Sequence, residues 1–384
     1  MVKRICTSGD RIDTVVGAPG SGKTVALDAA RAAWEASGHR VIGCALAARA
    51  ARGLQAGSGI PSRTLDRLLL DLEAGNDRVD PQTILTVDEA AMVGTRQLAR
   101  LVDACTEAGA KLVLVGDPKQ LPAIEAGGLF EALAKRLGAV QLTGNRRQLD
   151  PEERAAVADL REGAVRRAID RLNRIGGVAL FRNADHLADA MVEEWHRAAK
   201  AGQDVLMLAM TRDATAELNA RARRRIAAEG GLGPVVAQVG EVEFAAGDRV
   251  LCTRNNRRLG VVNGDAGTIE GASENGILVR LGDRLLKLPA VYLAAGNLTH
   301  GYAMTVHKAQ GATCDVALLW GEILYAEAGY TALTRGRFRN RIFVLSHGAA
   351  ADHLSPEARN RDRYMTQRLS ASGKKLAAID LPLQ

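Results

Sequence analysis

Aromatic residues are scarce in this 384-residue sequence, and no long apolar run occurs in it. Aromatics make up 3% of the residues, with three Trp, five Tyr and five Phe, so few rings are available to stack on nucleic-acid bases. No stretch approaches the ~20 apolar residues that a membrane-spanning helix requires. Residues 1–14 are charged at five positions and have no apolar core, which does not resemble a secretory signal. The sequence therefore predicts no membrane association and no export.

Cysteine pairs and metal-binding spacings are also missing. The sequence has five cysteines, an odd number, and no two of them stand at C-x-x-C spacing. The seven histidines form no H-E-x-x-H motif and no cluster with cysteine, so we expect no zinc site. Unpaired thiols are typical of a reducing compartment, and a cytoplasmic location is expected.

Lysine is rare among the basic residues, and arginine supplies most of the positive charge. Only ten of the 51 basic residues are Lys, and the 44 acidic residues leave a net charge of +7. A GC-rich coding sequence accounts for many Arg and Ala residues. A polyanionic partner also accounts for the arginines, because guanidinium groups suit phosphate. A net charge of +7 does not decide between these two explanations of the arginine content.

Short apolar strands alternate with helices through most of the sequence, which is typical of α/β proteins with parallel sheets covered on both faces. Strands are predicted at 13–16, 40–44, 83–87 and 111–115, and a second half of the same kind opens near Val140. Between residues 241 and 296 the segments become short and β-like, with Asn-Gly and Gly-Asp turns, which predicts a small inserted β-barrel. We expect a first lobe at 1–140, a second lobe at 141–240 and 297–350, the insertion at 241–296, and a charged tail at 351–384.

A phosphate-binding motif follows the first predicted strand and opens a helical segment. It matches G-x-x-x-x-G-K-[ST] and consists of Gly17, Ala18, Pro19, Gly20, Ser21, Gly22, Lys23 and Thr24. The glycines let backbone N–H groups wrap around phosphate oxygens without Cβ clashes. We expect Lys23 to reach the β- and γ-phosphates of ATP and the Thr24 hydroxyl to bind Mg²⁺.

Acidic and amide side chains follow two further predicted strands. Asp88 and Glu89 come directly after an apolar strand, where a carboxylate partner of the phosphate loop would hold Mg²⁺. We assign Asp88 to the metal and Glu89 to water activation. Gln120 follows the next strand in the segment Gly116-Asp-Pro-Lys-Gln120 and is predicted to sense the γ-phosphate or the attacking water.

Six ordered blocks together resemble one family, the RecD-like branch of superfamily 1 DNA helicases. They are similar above all to the helicase portion of MobF-type conjugative relaxases of the TraA and TraI kind. The blocks are GAPGSGKT (17–24), VDEA (87–90), VGDPKQLPAI (115–124), LTGNRRQ (142–148), TVHKAQGAT (305–313) and YTALTRGR (330–337). The resemblance implies two RecA-like P-loop NTPase lobes with a small β-barrel inserted in the second.

The resemblance also implies roles for individual residues. Family patterns place arginine fingers, supplied by the second lobe to ATP on the first, at Arg147 and Arg335. They place contacts to single-stranded DNA at Thr64, Thr305 and His307. The alternatives are that Arg146 rather than Arg147 reaches the phosphate, that Arg335 is a solvated arginine, and that His307 is a satisfied structural histidine.

Three family features are absent from the sequence. No Gln precedes Gly17, so weak selectivity for adenine is expected, and residues 71–82 are too few for a long strand-separating hairpin. The first tyrosine is Tyr292, so no nicking tyrosine precedes the motor blocks. The chain is either a piece of a larger relaxase or a separate motor remnant.

The family implies an ATP-driven motor that moves 5′→3′ on DNA in conjugation. A relaxase or another conjugation protein is a possible partner by the same resemblance. The alternatives are a DNA-stimulated ATPase that does not unwind and a DNA-binding remnant without activity.

Overall fold

A computed structural model describes residues 1–123, 126–322 and 324–345 of the chain. The chain forms two compact units. Among the described residues, the first contains Met1–Leu149 and Tyr325–Thr331, and the second contains Asp150–Leu324 and 332–345. The charged tail expected at 351–384 lies outside the described residues.

The first unit alternates strands and helices, as the apolar rhythm predicts. Its elements are α1 (Val2–Thr7), β1 (Ile12–Gly17), α2 (Lys23–Ala36), β2 (Arg40–Ala45), α3 (Ala48–Ser58), β3 (Ser62–Thr64), α4 (Leu65–Glu73), β4 (Thr83–Asp88), α5 (Thr95–Ala108), β5 (Lys111–Gly116), α6 (Leu129–Arg136) and β6 (Val140–Leu142).

The six strands of the first unit form one parallel sheet in the order β3-β2-β4-β5-β1-β6. The strands β1, β2, β4 and β5 are buried along almost their whole length, because helices cover both faces of the sheet. One core cluster includes Leu85 and Leu112, and the cluster on the other face includes Val15 and Val113. All carboxyl ends meet at one edge, where ligands of open α/β sheets bind.

The second unit begins at Asp150, whose side chain accepts a hydrogen bond from the Glu153 N–H and caps the first helix. Its elements are α7 (Pro151–Glu162), α8 (Val165–Arg174), β7 (Val178–Phe181), α9 (Ala184–Lys200), β8 (Val205–Ala209), α10 (Arg212–Ala228), β9 (Val235–Val239), β10 (Val242–Ala245), β11 (Arg249–Cys252), β12 (Ala266–Ser273), β13 (Gly276–Leu281), β14 (Arg284–Pro289), α11 (Ala290–Ala294), β15 (Leu298–His300), β16 (Ala303–Thr305), β17 (Cys314–Trp320), α12 (Ala326–Ala332, mostly in the first unit) and β18 (Gly336–Leu345).

A second parallel sheet has the order β16-β8-β17-β18-β7. Its core contains Met207, Leu318 and Phe343 from the strands and Met191 and Trp195 from α9. The prediction of two α/β units with parallel sheets is therefore confirmed.

The insertion consists of antiparallel strands, and its expected closure into a barrel is not confirmed. It has a five-stranded sheet in the order β14-β13-β12-β11-β15 and a β10-β9 ribbon, which extend beyond the expected range of 241–296. Because β9 already begins at Val235 and β15 ends at His300, the β pattern starts and stops outside the segments that the turns mark.

Asp248 connects this insertion to the parallel part of the second unit. Its buried carboxylate accepts hydrogen bonds from the Ala245 N–H (2.7 Å), the Tyr302 hydroxyl (2.7 Å) and the Arg223 guanidinium (3.1 Å). Burial alone would raise the pKa of Asp248, but the hydrogen bonds from His300 and these donors lower it to about 2.

The boundary between the units differs from the one expected at 140/141. Strand β6 crosses that position and pairs with β1, with Val140 beside Val15 and Leu142 beside Gly17. Pairing of β6 with a first-unit strand keeps the chain in that unit through Leu149.

The thiols agree with the sequence. All five cysteines are free, as predicted. Within the described residues, no helix is both long enough and apolar enough to cross a membrane.

Candidate ATP-binding and hydrolysis site

The phosphate loop, residues 17–24, joins β1 to α2 at the carboxyl edge of the first sheet. Gly20 and Gly22 adopt the left-handed conformation, with φ of +75° and +83°, which residues with a Cβ rarely enter. Helix α2 begins at Lys23 without a side-chain cap and without an acidic residue in its first turn. Its first N–H groups and its positive dipole end are therefore available to bind an anion.

Polar groups of the loop fit a phosphate-bearing ligand. The Lys23 ammonium donates to the carbonyl oxygens of Gly17 (2.9 Å) and Ala18 (3.1 Å), which keeps it folded along the loop. The Ser21 hydroxyl is buried and has no hydrogen-bond partner among the described residues. A buried hydroxyl without a partner costs free energy, and a phosphate oxygen would satisfy it.

Asp88 ends β4, two strands away from the phosphate loop in the sheet. Its Oδ1 accepts a hydrogen bond from the Glu89 N–H at 2.9 Å. Burial, and after it the negative charge of Glu89, raise the pKa of Asp88 to about 6, while nearby Lys23 opposes the shift. A half-buried carboxylate close to a lysine and next to a second acid is a suitable place for a divalent cation.

Glu89 has an unusual backbone. Its φ is +52° and its ψ is 37°, and among the described residues it is the only non-glycine with positive φ. The short 3₁₀ turn that follows (Ala90–Met92) is packed so closely on Gly116 that a Cβ there would lie 3.1 Å from the Ala91 nitrogen. Strained φ/ψ values of this kind are concentrated at active sites, because the surrounding structure has to enforce them.

Asp117 and Gln120 follow β5 and are both buried. The Asp117 carboxylate accepts hydrogen bonds from the Lys119 N–H (3.2 Å) and the Tyr330 hydroxyl (3.0 Å), which fixes the loop. Gln120 Oε1 has no hydrogen-bond partner in the described part of the chain. The Gln120 side chain also lines a cavity of about 50 Å³, large enough for a water molecule.

The segment 144–148 lies on the phosphate loop. The Arg146 N–H donates to the Gly20 carbonyl at 2.9 Å, and the Arg147 N–H donates to the Asn145 side chain at 3.0 Å. A Cβ on Gly20 would lie 2.4 Å from Arg147 Cβ, so the glycine is what allows this approach. The resemblance implies that Arg147 comes from the second lobe, but β6 carries it in the first unit.

The remaining predicted residues lie elsewhere. Thr64 ends β3 and caps α4 by accepting a hydrogen bond from the Arg67 N–H. In the second unit, Thr305 Oγ1 accepts one from the Lys308 N–H, and burial lowers the pKa of His307. Arg335 is 1% exposed, and its guanidinium donates to the Ala312 carbonyl at 3.2 Å.

Sequence reasoning missed the residues that hold the loops of the candidate site in place. Asn145 Nδ2 donates to Gln148 Oε1 at 2.7 Å, and the Thr331 hydroxyl accepts a hydrogen bond from the Leu121 N–H at 3.2 Å. Asn145 and Gln148 flank the two arginines in the LTGNRRQ block, and this spacing is a usable signal. Tyr330 and Thr331 reach the site from more than 200 residues away, so no local pattern indicates their contacts.

Comparison with known proteins gives related helicases. A family model described as an AAA domain matches residues 1–183. The conjugal transfer protein TraA of Agrobacterium fabrum is 40% identical over 339 residues, which make up 86% of this chain and 31% of that protein. The ATP-dependent RecD2 DNA helicase of Deinococcus radiodurans is 31% identical over an alignment of 385 positions, which covers 94% of this chain and 50% of that protein. The chain thus spans between about a third and a half of the length of these relatives.

Solved structures agree in fold. The structure of Bacteroides Pif1 bound to ssDNA has a TM-score of 0.60 at 18% identity, and the match covers 90% of each chain. The two parallel α/β units, the ordered blocks at the sheet edge and the relatives named above lead to one conclusion. The chain is related to the RecD-like branch of superfamily 1 helicases and to the TraA conjugal transfer proteins.

Proposed function

We propose that this chain is an ATP-driven motor that moves along single-stranded DNA and unwinds duplexes during conjugal DNA processing in the cytoplasm. The observation that carries the proposal is the grouping of Lys23, Asp88, Glu89 and Gln120 at one edge of one sheet. This grouping provides a cation for phosphate, a carboxylate for metal, and an acid and an amide for water. The names of the relatives supply conjugation and DNA as the context.

Each residue of the site has a defined task in hydrolysis. Residues 17–24 would hold the phosphates of ATP through backbone N–H groups and Lys23, and Thr24 and Asp88 would hold Mg²⁺. When bound, the metal neutralises charge that develops on the phosphates. Glu89 takes a proton from the attacking water, and Gln120 orients that water through its Oε1.

Two arginines complete the proposed machinery. Arg147 is held against the phosphate loop by its neighbours' hydrogen bonds. Arg335 is the second finger by family resemblance, and a buried guanidinium is well suited to stabilise charge in the transition state. Loss of either side chain would lower turnover more than ATP affinity.

DNA contacts are proposed at the carboxyl ends of strands in both units. Thr64 ends β3 and Thr305 ends β16, and His307 follows in the turn after β16. Because the Thr64 and Thr305 hydroxyls accept backbone hydrogen bonds, each retains its O–H for donation to a DNA phosphate. Family resemblance adds 5′→3′ movement.

One observation favours the alternative of a DNA-stimulated ATPase that does not unwind. Residues 71–82 contain no strand, only the end of α4 and a connecting loop. Arg63 bonds to both Asp71 and Asp77, and Arg40 also bonds to Asp77, so this segment is held against the first unit. It offers no hairpin that could separate strands.

The test combines ATPase and unwinding assays on the purified chain. ATP hydrolysis should rise on addition of single-stranded DNA, and a duplex with a 5′ overhang should be unwound. Lys23→Ala is the control that should abolish both activities. Hydrolysis without unwinding would favour the alternative, and hydrolysis that ignores DNA would refute the motor.

A further inference from the structure

Residues 337–339, with the sequence Arg-Phe-Arg, form an exposed tip at the amino end of β18. Phe338 is 49% exposed, and in the described part of the chain it is the only aromatic side chain that is largely exposed. A single exposed apolar residue needs no explanation by itself. The local backbone and two cations show that this one is held in a specific position.

A β-bulge turns the tip outward. Cys314 pairs with Gly336 and Val316 pairs with Arg339, so that one residue of β17 stands opposite two residues of β18. The two β18 residues that share this place are Arg337 and Phe338. Bulges bend a strand and redirect side chains, and they are common next to functional sites.

A buried polar clamp fixes the base of the tip. Asn340 Oδ1 accepts a hydrogen bond from the Gly336 N–H at 2.9 Å, and Asn340 Nδ2 donates to the Gly336 carbonyl at 3.2 Å. The Glu153 carboxylate accepts hydrogen bonds from the Asn340 N–H (2.8 Å) and from Nδ2 (2.5 Å). Asn340 and Glu153 are 1% and 2% exposed. The tip is therefore ordered before any ligand arrives, which lowers the entropy cost of binding.

Gly336 is required by this arrangement. A Cβ at this position would lie 2.2 Å from the Arg339 carbonyl oxygen. Any other residue would push the two ends of the tip apart.

Each arginine of the tip is anchored as well. The Arg337 guanidinium carbon lies 5.7 Å from the centre of the Phe338 ring, and its Nη2 bonds to Asp315 Oδ1 at 2.6 Å. Asp315 Oδ2 in turn accepts a hydrogen bond from the Asp204 N–H at 3.0 Å. Arg339 donates to the carbonyl oxygens of Ile175 and Gly176, both at 3.4 Å.

The cations remain accessible despite these anchors. The Arg337 side chain is 52% exposed, and Arg339 is also exposed. The tip thus presents an aromatic ring between two positive charges at fixed positions.

The tip lies at the edge of the second sheet where the amino ends of the strands meet, whereas Thr305 lies at the other edge, where their carboxyl ends meet. Val316 and Val205 pair at the amino ends of their strands, whereas Thr305 pairs with Ala209 at the carboxyl end. A five-residue strand such as β8 separates the two edges by about 13 Å. The tip is therefore distinct from the DNA contacts proposed at Thr305 and His307.

We propose that residues 337–339 form a second contact for single-stranded DNA, in which a base stacks on Phe338 and the adjacent phosphates bind Arg337 and Arg339. Aromatic rings stack on any base, and guanidinium groups bind phosphate, so the affinity of this contact does not depend on the base sequence of the DNA. The Arg337 cation beside the ring also favours stacking of Phe338 on a base over burial of Phe338 in an apolar protein partner. The proposal rests on the proposed function only in taking DNA as the ligand.

The experiment measures binding of a fluorescein-labelled oligothymidylate to the full chain by anisotropy without nucleotide. Phe338→Ala should weaken binding by about fivefold or more, the loss expected for one stacked base. Phe338→Leu keeps an apolar side chain of similar size without a π-face and should show the same loss, whereas Phe338→Trp should retain affinity. Leu285→Ala is the matched control, because Leu285 is an apolar residue on the inserted sheet with 50% exposure.

A spectroscopic signal reports stacking directly. The three natural tryptophans are between 2% and 5% exposed, so a tryptophan introduced by Phe338→Trp dominates quenching by DNA. Its fluorescence should fall on addition of the oligothymidylate. Arg337→Gln should also reduce the slope of log affinity against log salt by about 0.7, the value for one phosphate on a single strand.

The outcomes separate this proposal from the previous one. If wild type binds the oligothymidylate and Phe338→Ala binds equally well, the tip contact is refuted while the motor stands. If Phe338→Ala raises the KM for ATP and leaves DNA affinity unchanged, the tip contact is also refuted, because the ring would then bind a free nucleotide. Equal losses in Phe338→Ala and Leu285→Ala would show a general effect and overturn it. If wild type fails to bind DNA, both proposals fall.

Discussion

Gly20 is where the phosphate loop and the arginine-bearing segment 144–148 meet, and Gly20→Ala tests whether this contact positions Arg147. The variant adds one methyl group at a position with φ of +75°. That group would lie 2.4 Å from Arg147 Cβ and 2.9 Å from the Arg147 nitrogen. The segment has to move away, and the hydrogen bond from the Arg146 N–H to the Gly20 carbonyl is lost.

Gly22→Ala is the matched control for this change. Gly22 also has positive φ, but a Cβ there would have no atom within 4 Å. Both variants incur the left-handed backbone cost of about 1–2 kcal/mol for a residue with a Cβ. Only Gly20→Ala adds the loss of a hydrogen bond, worth about 0.5–1.5 kcal/mol, and the steric overlap.

Hydrogen exchange of the Arg146 amide, measured by NMR or mass spectrometry without nucleotide, separates the two costs. A loss of about 1 kcal/mol in local opening free energy corresponds to exchange about fivefold faster. We expect this increase in Gly20→Ala and not in Gly22→Ala. Equal exchange of Arg146 in the two variants would refute the view that Gly20 seats the arginine segment.

Four further outcomes are expected. Glu89→Gln should bind a fluorescent ATP analogue normally but release phosphate at least about 100-fold more slowly, and a wild-type rate would remove Glu89 from catalysis. Arg335→Ala should lower kcat steeply at nearly unchanged KM, so a change in KM alone would contradict the finger. Wild-type affinity for single-stranded DNA should fall log-linearly with salt, whereas a flat response would argue against backbone contacts. Asp248 has a pKa lowered from 3.8 to about 2, so the stability it contributes, about 2 kcal/mol above pH 4, is lost as pH falls toward 2. Asp248→Asn should lower Tm at pH 7 and converge with wild type near pH 2.

Much of the fold followed from local patterns in the sequence. The apolar runs that end at Gly17, Asp88 and Gly116 are strands in the structure, because buried parallel strands have continuous apolar character. Gly-Lys-Thr after the first strand predicted a loop-to-helix transition at Thr24, and α2 begins one residue earlier, at Lys23. Lys23, Asp88 and Gln120 lie at one edge of the sheet because each lies at or shortly after the carboxyl end of a parallel strand.

Boundaries were less predictable. Residues 140–149 have little helical or apolar signal, and their place in the first unit depends on pairing of β6 with β1. The inserted strands were visible as short β-like segments, but their order is decided by hydrogen bonds between segments far apart in the chain.

Contacts between distant residues were decided by the tertiary structure alone. The left-handed backbone of Glu89, the hydrogen bond from Tyr330 to Asp117 and the clamp of Asn340 on Gly336 have no local sequence pattern. The sequence by itself determines which segments are apolar enough to become strands and which side chains can hold a phosphate. Which of those side chains meet is set by packing, because strand register and loop closure depend on the sum of many long-range contacts.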